Sequence, residues 1–97
     1  YIGIAGGGRP LPPRVAAAVG RDHGVEVMEV VAGSPAARAG IRSHDLIVEL
    51  DGVAISDARD LQRLMVGDVI GRTVDALVWR DGVVRTITVH PAELTAA

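Results

Sequence analysis

The chain has 97 residues, 48% of them apolar and 2% aromatic, with a formal charge of −2 and no cysteine. That length holds one small domain around one aliphatic core, the interspersed charges give no basic stripe for nucleic acid, and neither a disulfide frame nor a thiolate metal site is possible. No apolar run approaches the roughly 18 residues of a membrane span and no secretion-signal pattern opens the chain, so the piece is expected to be soluble; its start on apolar Tyr1-Ile2 favours a fragment of a longer exported or membrane-tethered parent.

In chain order, residues 1–6 read as a short extended segment, broken by Gly6, Gly7, Gly8 and Pro10 into a flexible connection. Pro12 and Pro13 suit the first turn of a short helix that stops at Gly20. Residues 25–31 alternate apolar with polar and read as a half-buried strand, with Val25, Val27 and Val31, plus Met28 or Val30, expected in the core. In GSPAARAGI, at 33–41, Ser34 is placed to cap, Pro35 to open and Gly40 to stop one or two helical turns.

The run DLIVELDG at 45–52 reads as a strand closed by an Asp51-Gly52 turn, from which Val53-Ala54-Ile55 returns. Ser56-Asp57 offers a cap for an amphipathic helix to about Val66, with Leu61, Leu64 and Met65 on one face. The clearest hairpin joins 73–80 to 83–90 at Asp81-Gly82. Its expected phases group Val74, Ala76 and Val78 with Val84, Thr86 and Thr88, opposite Leu77, Trp79, Ile87 and Val89. Pro91 ends it, so residues 1–91 are expected to form the domain and 92–97 a tail. The sum is a mainly-β α+β fold of five to six strands, a partly open barrel or sandwich capped by two helices.

Three kinds of chemistry fail on these residues. The opening strand and Gly-rich turn have the context of a dinucleotide fingerprint, but Leu11 stands where a third small residue is required and Pro10 and Pro12 remove N–H donors. Ser43-His44-Asp45 contains the residue types of a catalytic triad, yet consecutive side chains diverge and cannot line up nucleophile, base and acid. His23, His44 and His90 are scattered without metal-ligand spacing. The acid pairs Glu26/Glu29 and Asp57/Asp60 fit a solvated strand face and a helix first turn. The expectation is a non-catalytic domain with no metal and no cofactor.

Binding remains. The ordered set YIGI (1–4), GVEVMEVVAGSPAARAGI (24–41), DLIVELDGVAI (45–55), a helix and LVWRDG (77–82) resembles a PDZ domain of the bacterial type, and more narrowly the one that follows the protease domain in HtrA/Deg serine proteases. The resemblance covers essentially the whole chain. One departure is Ser43-His44-Asp45, where the family usually has a glycine before the Asp.

The resemblance implies that Tyr1, Ile2, Gly3 and Ile4 form a carboxylate-binding loop, and that Ala5 and Gly6 continue a free strand edge to which an extended peptide adds. It places Leu61 and Leu64 on the opposite wall of that groove, with Met65 facing either the groove or the core, although Ile4, Leu61 and Leu64 would also be expected simply as core. An aliphatic pocket of Ile2, Ile4, Leu61 and Leu64 should favour a last ligand residue such as Val, Leu, Phe or Ala; the family's polar selector at the helix start is not matched by Asp57 or Ala58. The implied role is a regulatory module that captures C-terminal or unfolded apolar segments and feeds or regulates a linked serine protease domain outside the cytoplasm. The alternatives are a module from a C-terminal processing, Lon-like or membrane-embedded metalloprotease, and an assembly domain that holds a neighbouring subunit. Leu94-Thr95-Ala96-Ala97 could occupy the groove of another copy.

Overall fold

A computed structural model describes residues 1–65 and 71–92. The elements are β1 (Ile4–Pro10), α1 (Pro13–Val19), β2 (His23–Val30), α2 (Pro35–Ala39), β3 (Leu46–Leu50), β4 (Val53–Ala54), α3 (Ala58–Leu64), β5 (Val74–Arg80) and β6 (Val83–Val89). The six strands form one antiparallel sheet in the order β1-β2-β3-β5-β6, with β4 paired to β3 off that path. The mainly-β class is as expected. The sheet is open, and β1 lies at one of its ends.

Helices of five to seven residues are too short to persist alone, so caps and packing hold them. Ser34 accepts a hydrogen bond from the Ala37 N–H at 3.2 Å, Pro35 follows at the first helical position, and Gly40 ends α2 in the left-handed region at φ 94°. Gly20 closes α1 in the same way. At the start of α3 the Asp57 carboxylate accepts from the Asp60 N–H and the Asp60 carboxylate accepts from the Ser56 N–H, each at 2.9 Å, a reciprocal cap built from two aspartates.

Alternation along the strands sends apolar residues to both faces of the sheet. Ile47 and Leu50 of β3 join Val25, Val27, Ala76 and Val78 beneath α2 and α3, whereas Leu46 and Val48 face the other way, onto Leu11 and Val15 at α1. Each fully buried aliphatic chain contributes about 1.5–3 kcal/mol relative to exposure, so this double-sided centre is what anchors the edge strand and the short helices.

Three expectations need correction. The glycine run is not a flexible connection: β1 continues through Gly6, Gly7 and Gly8 to Pro10 and pairs with β2 along that length. Glycine is a weak strand former, but here the backbone bonds to β2 and the close approach of neighbouring chain decide. In β2 the alternation breaks because Ala5 pairs with Glu29 while the next residue, Gly6, pairs with Val27. Met28 is thus the extra residue of a bulge and is 59% exposed, and Val31 is 47% exposed instead of buried.

The third concerns the hairpin. A two-residue turn pairs Arg80 with Val83 and hence Val74 with Val89, Ala76 with Ile87 and Trp79 with Val84. Even positions of β5 therefore share a face with odd positions of β6, so Ile87 and Val89, not Val84 and Thr88, join Val74 and Ala76. The expected helix end at Val66 and the self-association segment 94–97 lie outside the described residues, as does the expected tail beyond Ala92.

Candidate functional site

Residues 1–3 are tied down by their carbonyls. Ala92 donates its N–H to the Tyr1 C=O at 3.0 Å, Ala36 to the Ile2 C=O at 2.8 Å and Val31 to the Gly3 C=O at 2.9 Å. Among the described residues no protein acceptor takes the N–H of Ile2 or of Gly3. Two successive donors thus remain available beside a groove, an arrangement suited to an anionic oxygen pair.

Gly3 is required at the centre of this loop for two reasons. Its φ of +87° lies in the left-handed region, and a Cβ there would stand 2.2 Å from the Ser34 Cβ. The α2 cap therefore forms the floor of the loop. Ile2 is 3% exposed and joins the core, which fixes the loop from below.

The groove is bounded by Tyr1, Ile2, Gly3 and Ile4 on one side and by Leu61, Gln62 and Met65 of the α3 end on the other, and encloses about 150 Å³. That is well below the roughly 300–1,000 Å³ of a small-molecule pocket, and it suits one side chain of an extended ligand. The walls are mostly aliphatic, so the chain that fills it should be apolar.

Beyond the groove runs the unpaired edge of β1. Because Gly3 bonds across to Val31, antiparallel alternation turns Ala5 toward β2 and points the N–H and C=O of Ile4 outward. Gly6 and Gly8 follow in the same outward phase. The Ile4 and Gly6 groups are donors and acceptors suited to an added strand, while Gly8 lies against Ser56 and Asp57.

The structure thus brings Tyr1, Ile2, Gly3, Ile4, Leu61 and Met65 together around one groove. Leu64 is half-buried and packs on the core that includes Ile2 and Leu61, and it is not among the residues that line this cavity. Ala5 is exposed on the opposite face of β1, and Gly6 contributes its outward peptide group. Gln62 lies on the lining but was not singled out in the sequence; helical spacing beside Leu61 and Met65 was the available signal.

Two wider clefts lie elsewhere. One, of about 550 Å³, is formed by Pro35, Arg38, Ala39, Thr88 and His90. The other, of about 410 Å³, opens over Asp45 and Arg80. Asp45 is 2% exposed and receives two bonds from Arg80. Hydrogen bonding to Asp45 raises the Arg80 guanidinium above its ordinary range, against the opposing effect of burial. Among the described residues no group of three or more His, Cys, Asp or Glu could hold a metal ion, and no helix is long and apolar enough to cross a membrane.

An open antiparallel sheet with a free edge strand, a helix alongside it and a glycine loop whose Ile2 and Gly3 N–H groups have no acceptor among the described residues define a peptide-groove architecture. The family model for the PDZ domain matches residues 14–90, and the chain belongs to that family.

A chain named a DegP-like periplasmic serine endoprotease, from Rhizobium meliloti (strain 1021), is 32% identical over 84 residues, covering 84% of this chain and 17% of that protein. A chain of Mesorhizobium japonicum named as a zinc metalloprotease is 43% identical over 65 residues, covering 67% of this chain and 17% of its own length. The crystal structure of the HtrA3 PDZ domain bound to a phage-derived ligand (FGRWV) superposes with a TM-score of 0.69 at 26% identity, covering 94% of this chain and 83% of that one. The chain therefore spans about a sixth of the curated relatives, 17% of each, and most of the isolated domain.

Proposed function

We propose that this domain is a non-catalytic peptide-binding module that captures a free C-terminal end by strand addition to β1. The observation that carries the reading is the pair of N–H groups at Ile2 and Gly3 that have no acceptor among the described residues, placed where the open β1 edge meets the aliphatic groove. The peptide carboxylate accepts from those two N–H groups, its last side chain enters between Ile2, Ile4, Leu61 and Met65, and the residues before it pair with Ile4 and Gly6. Leu64 supports the wall from the core side. Residues 1–91 act as the folded unit, and the Ala92 N–H that follows donates back to the Tyr1 C=O. The ligand reported for the HtrA3 domain ends in an apolar residue, as this groove requires.

In the parent chain the module feeds or regulates an exported serine endopeptidase, a reading supported by the DegP-like relative. Regulation follows if bound peptide makes different contacts in two arrangements of the parent. The relative named as a zinc metalloprotease supports a second reading, a module of that protease class. The free β1 edge equally suits an assembly role in which a neighbour's strand or its residues 94–97 add to it.

The test is calorimetric titration of the domain with short peptides ending in Val, Leu, Phe or Ala, each paired with its C-terminally amidated form. Binding of the free acids that is lost on amidation supports carboxylate capture. Binding indifferent to amidation refutes it, and an association state that changes when residues 94–97 are deleted brings the assembly role forward.

A further inference from the structure

The chain has no cysteine and two methionines, Met28 and Met65, so its sulfur chemistry is confined to these two thioethers. Their settings differ. Met28 is the extra residue of the β2 bulge, stands 59% exposed and is not among the residues that line the groove. Met65 caps the end of α3, where its N–H donates to the Gln62 C=O at 3.1 Å. Its half-buried side chain packs on the core and forms part of the groove wall.

A thioether suits that wall because it is apolar, flexible and polarisable. It is also the wall group that a mild oxidant changes. When a peroxide attacks, the sulfur lone pair forms an S–O bond, the peroxide O–O bond breaks, sulfur is oxidised to the sulfoxide and the peroxide is reduced to water. The product carries a strong hydrogen-bond acceptor where an apolar contact stood. The cavity of about 150 Å³ is several times the roughly 30 Å³ share of one water molecule, so a small oxidant enters the groove when no ligand fills it.

We infer that Met65 is an oxidation site through which peroxides switch off the groove, while oxidation of the exposed Met28 leaves the groove unchanged. The inference rests on the proposed peptide-binding reading and adds a control to it. In the empty groove the sulfoxide oxygen is hydrated. An apolar ligand side chain entering beside it strips that water, and Ile2, Ile4 and Leu61 on the same lining offer no side-chain donor in its place. The penalty therefore falls on the bound state alone. The reverse coupling follows: a ligand that fills the groove shields the Met65 sulfur from the oxidant. Enzymatic reduction of the sulfoxide makes the switch reversible.

The experiment uses the Met28→Leu variant, in which Met65 is the sole sulfur, treated with hydrogen peroxide until mass spectrometry shows the added oxygen and then freed of oxidant. A sulfur-free peptide with a free C-terminal Leu is titrated before and after. Affinity should fall at least about fivefold on oxidation, with the domain still folded by circular dichroism, and should return after treatment with methionine sulfoxide reductases. The Met65→Leu variant, whatever its own affinity, should show the same value before and after peroxide although Met28 takes up oxygen. In the wild-type domain, saturating peptide should slow oxidation of Met65 and leave that of Met28 at its free rate. Unchanged affinity in the folded, oxidised domain, a Met65 that resists peroxide while Met28 reacts, or a Met65 rate that peptide does not slow overturns the switch and leaves peptide capture standing. So does an affinity loss that comes with unfolding. Absence of binding before oxidation removes the capture reading itself, and the switch with it.

Discussion

Arg80 grips the buried carboxylate of Asp45 with two nitrogens, Nε at 2.7 Å from one oxygen and Nη2 at 2.6 Å from the other, and the same Nη2 donates to the Gly40 carbonyl at 2.7 Å. The Asp45 carboxylate also accepts from the Arg42 N–H at 2.9 Å. One ion pair thus binds the end of β5 to the α2 cap and to the turn before β3. Removing one partner of a buried pair leaves the other uncompensated, at a cost of about 3–5 kcal/mol. Arg80→Met and Asp45→Ala should each lower stability by that order in urea unfolding. Arg80→Lys should recover little, because a single ammonium cannot reproduce the planar fork.

Gly3 and Ser34 should couple strongly. Gly3→Ala places a Cβ 2.2 Å from the Ser34 Cβ in a left-handed backbone that alone costs about 1–2 kcal/mol for an L residue. Ser34→Gly should cost only a few tenths of a kcal/mol, since glycine is tolerated at a helix cap. The double variant is expected to regain the steric part of the loss and keep the backbone part. A double-mutant cycle read by thermal unfolding measures this, with a coupling of about 0.5–3 kcal/mol expected for touching residues.

Two glycines of β1, Gly6 and Gly7, should respond differently to alanine. Gly7→Ala meets open space outside the positive-φ region, so it should stabilise by about 0.4–1 kcal/mol through the unfolded chain. Gly6→Ala would put a Cβ 2.3 Å from the Glu26 carbonyl oxygen and should destabilise by loosening β1 from β2. Chemical denaturation of the two variants in parallel decides the matter; equal effects would contradict the observed strand.

Gln62 is exposed on the groove lining, so Gln62→Ala should leave stability within about 0.5 kcal/mol while changing preference among peptides that differ in the last two residues. Leu61→Ala, at a core position, should lower both stability, by about 2–5 kcal/mol, and affinity. Measuring the two quantities for both variants separates the groove role from the core role.

Much of this was legible locally. Ser34, Pro35 and Gly40 bracket a helix because capping and left-handed stops depend on residues within a few positions of one another, and the Asp81-Gly82 turn announces its hairpin for the same reason. The loop at 1–4 was legible as part of an ordered set of motifs. The glycine run was misread because its strand character comes from β2, which local propensity does not see. The outward turn of Val31 is not visible in the sequence because a one-residue bulge at Met28 reverses the phase of everything beyond it, whereas Val30 packs on the core as one of the two residues expected there.

By itself the sequence determined the element order, the caps, the turns and the family to which the chain belongs, all of which rest on short-range spacing and side-chain chemistry. Only the tertiary structure decided that Asp45 is a buried partner of Arg80, that Gln62 faces the groove while Leu64 turns to the core, and that Ser56 and Asp57 close over Gly8. Each of those depends on contact between segments distant along the chain. Which of several chemically acceptable contacts forms is settled by packing the sheet and its helices around one core.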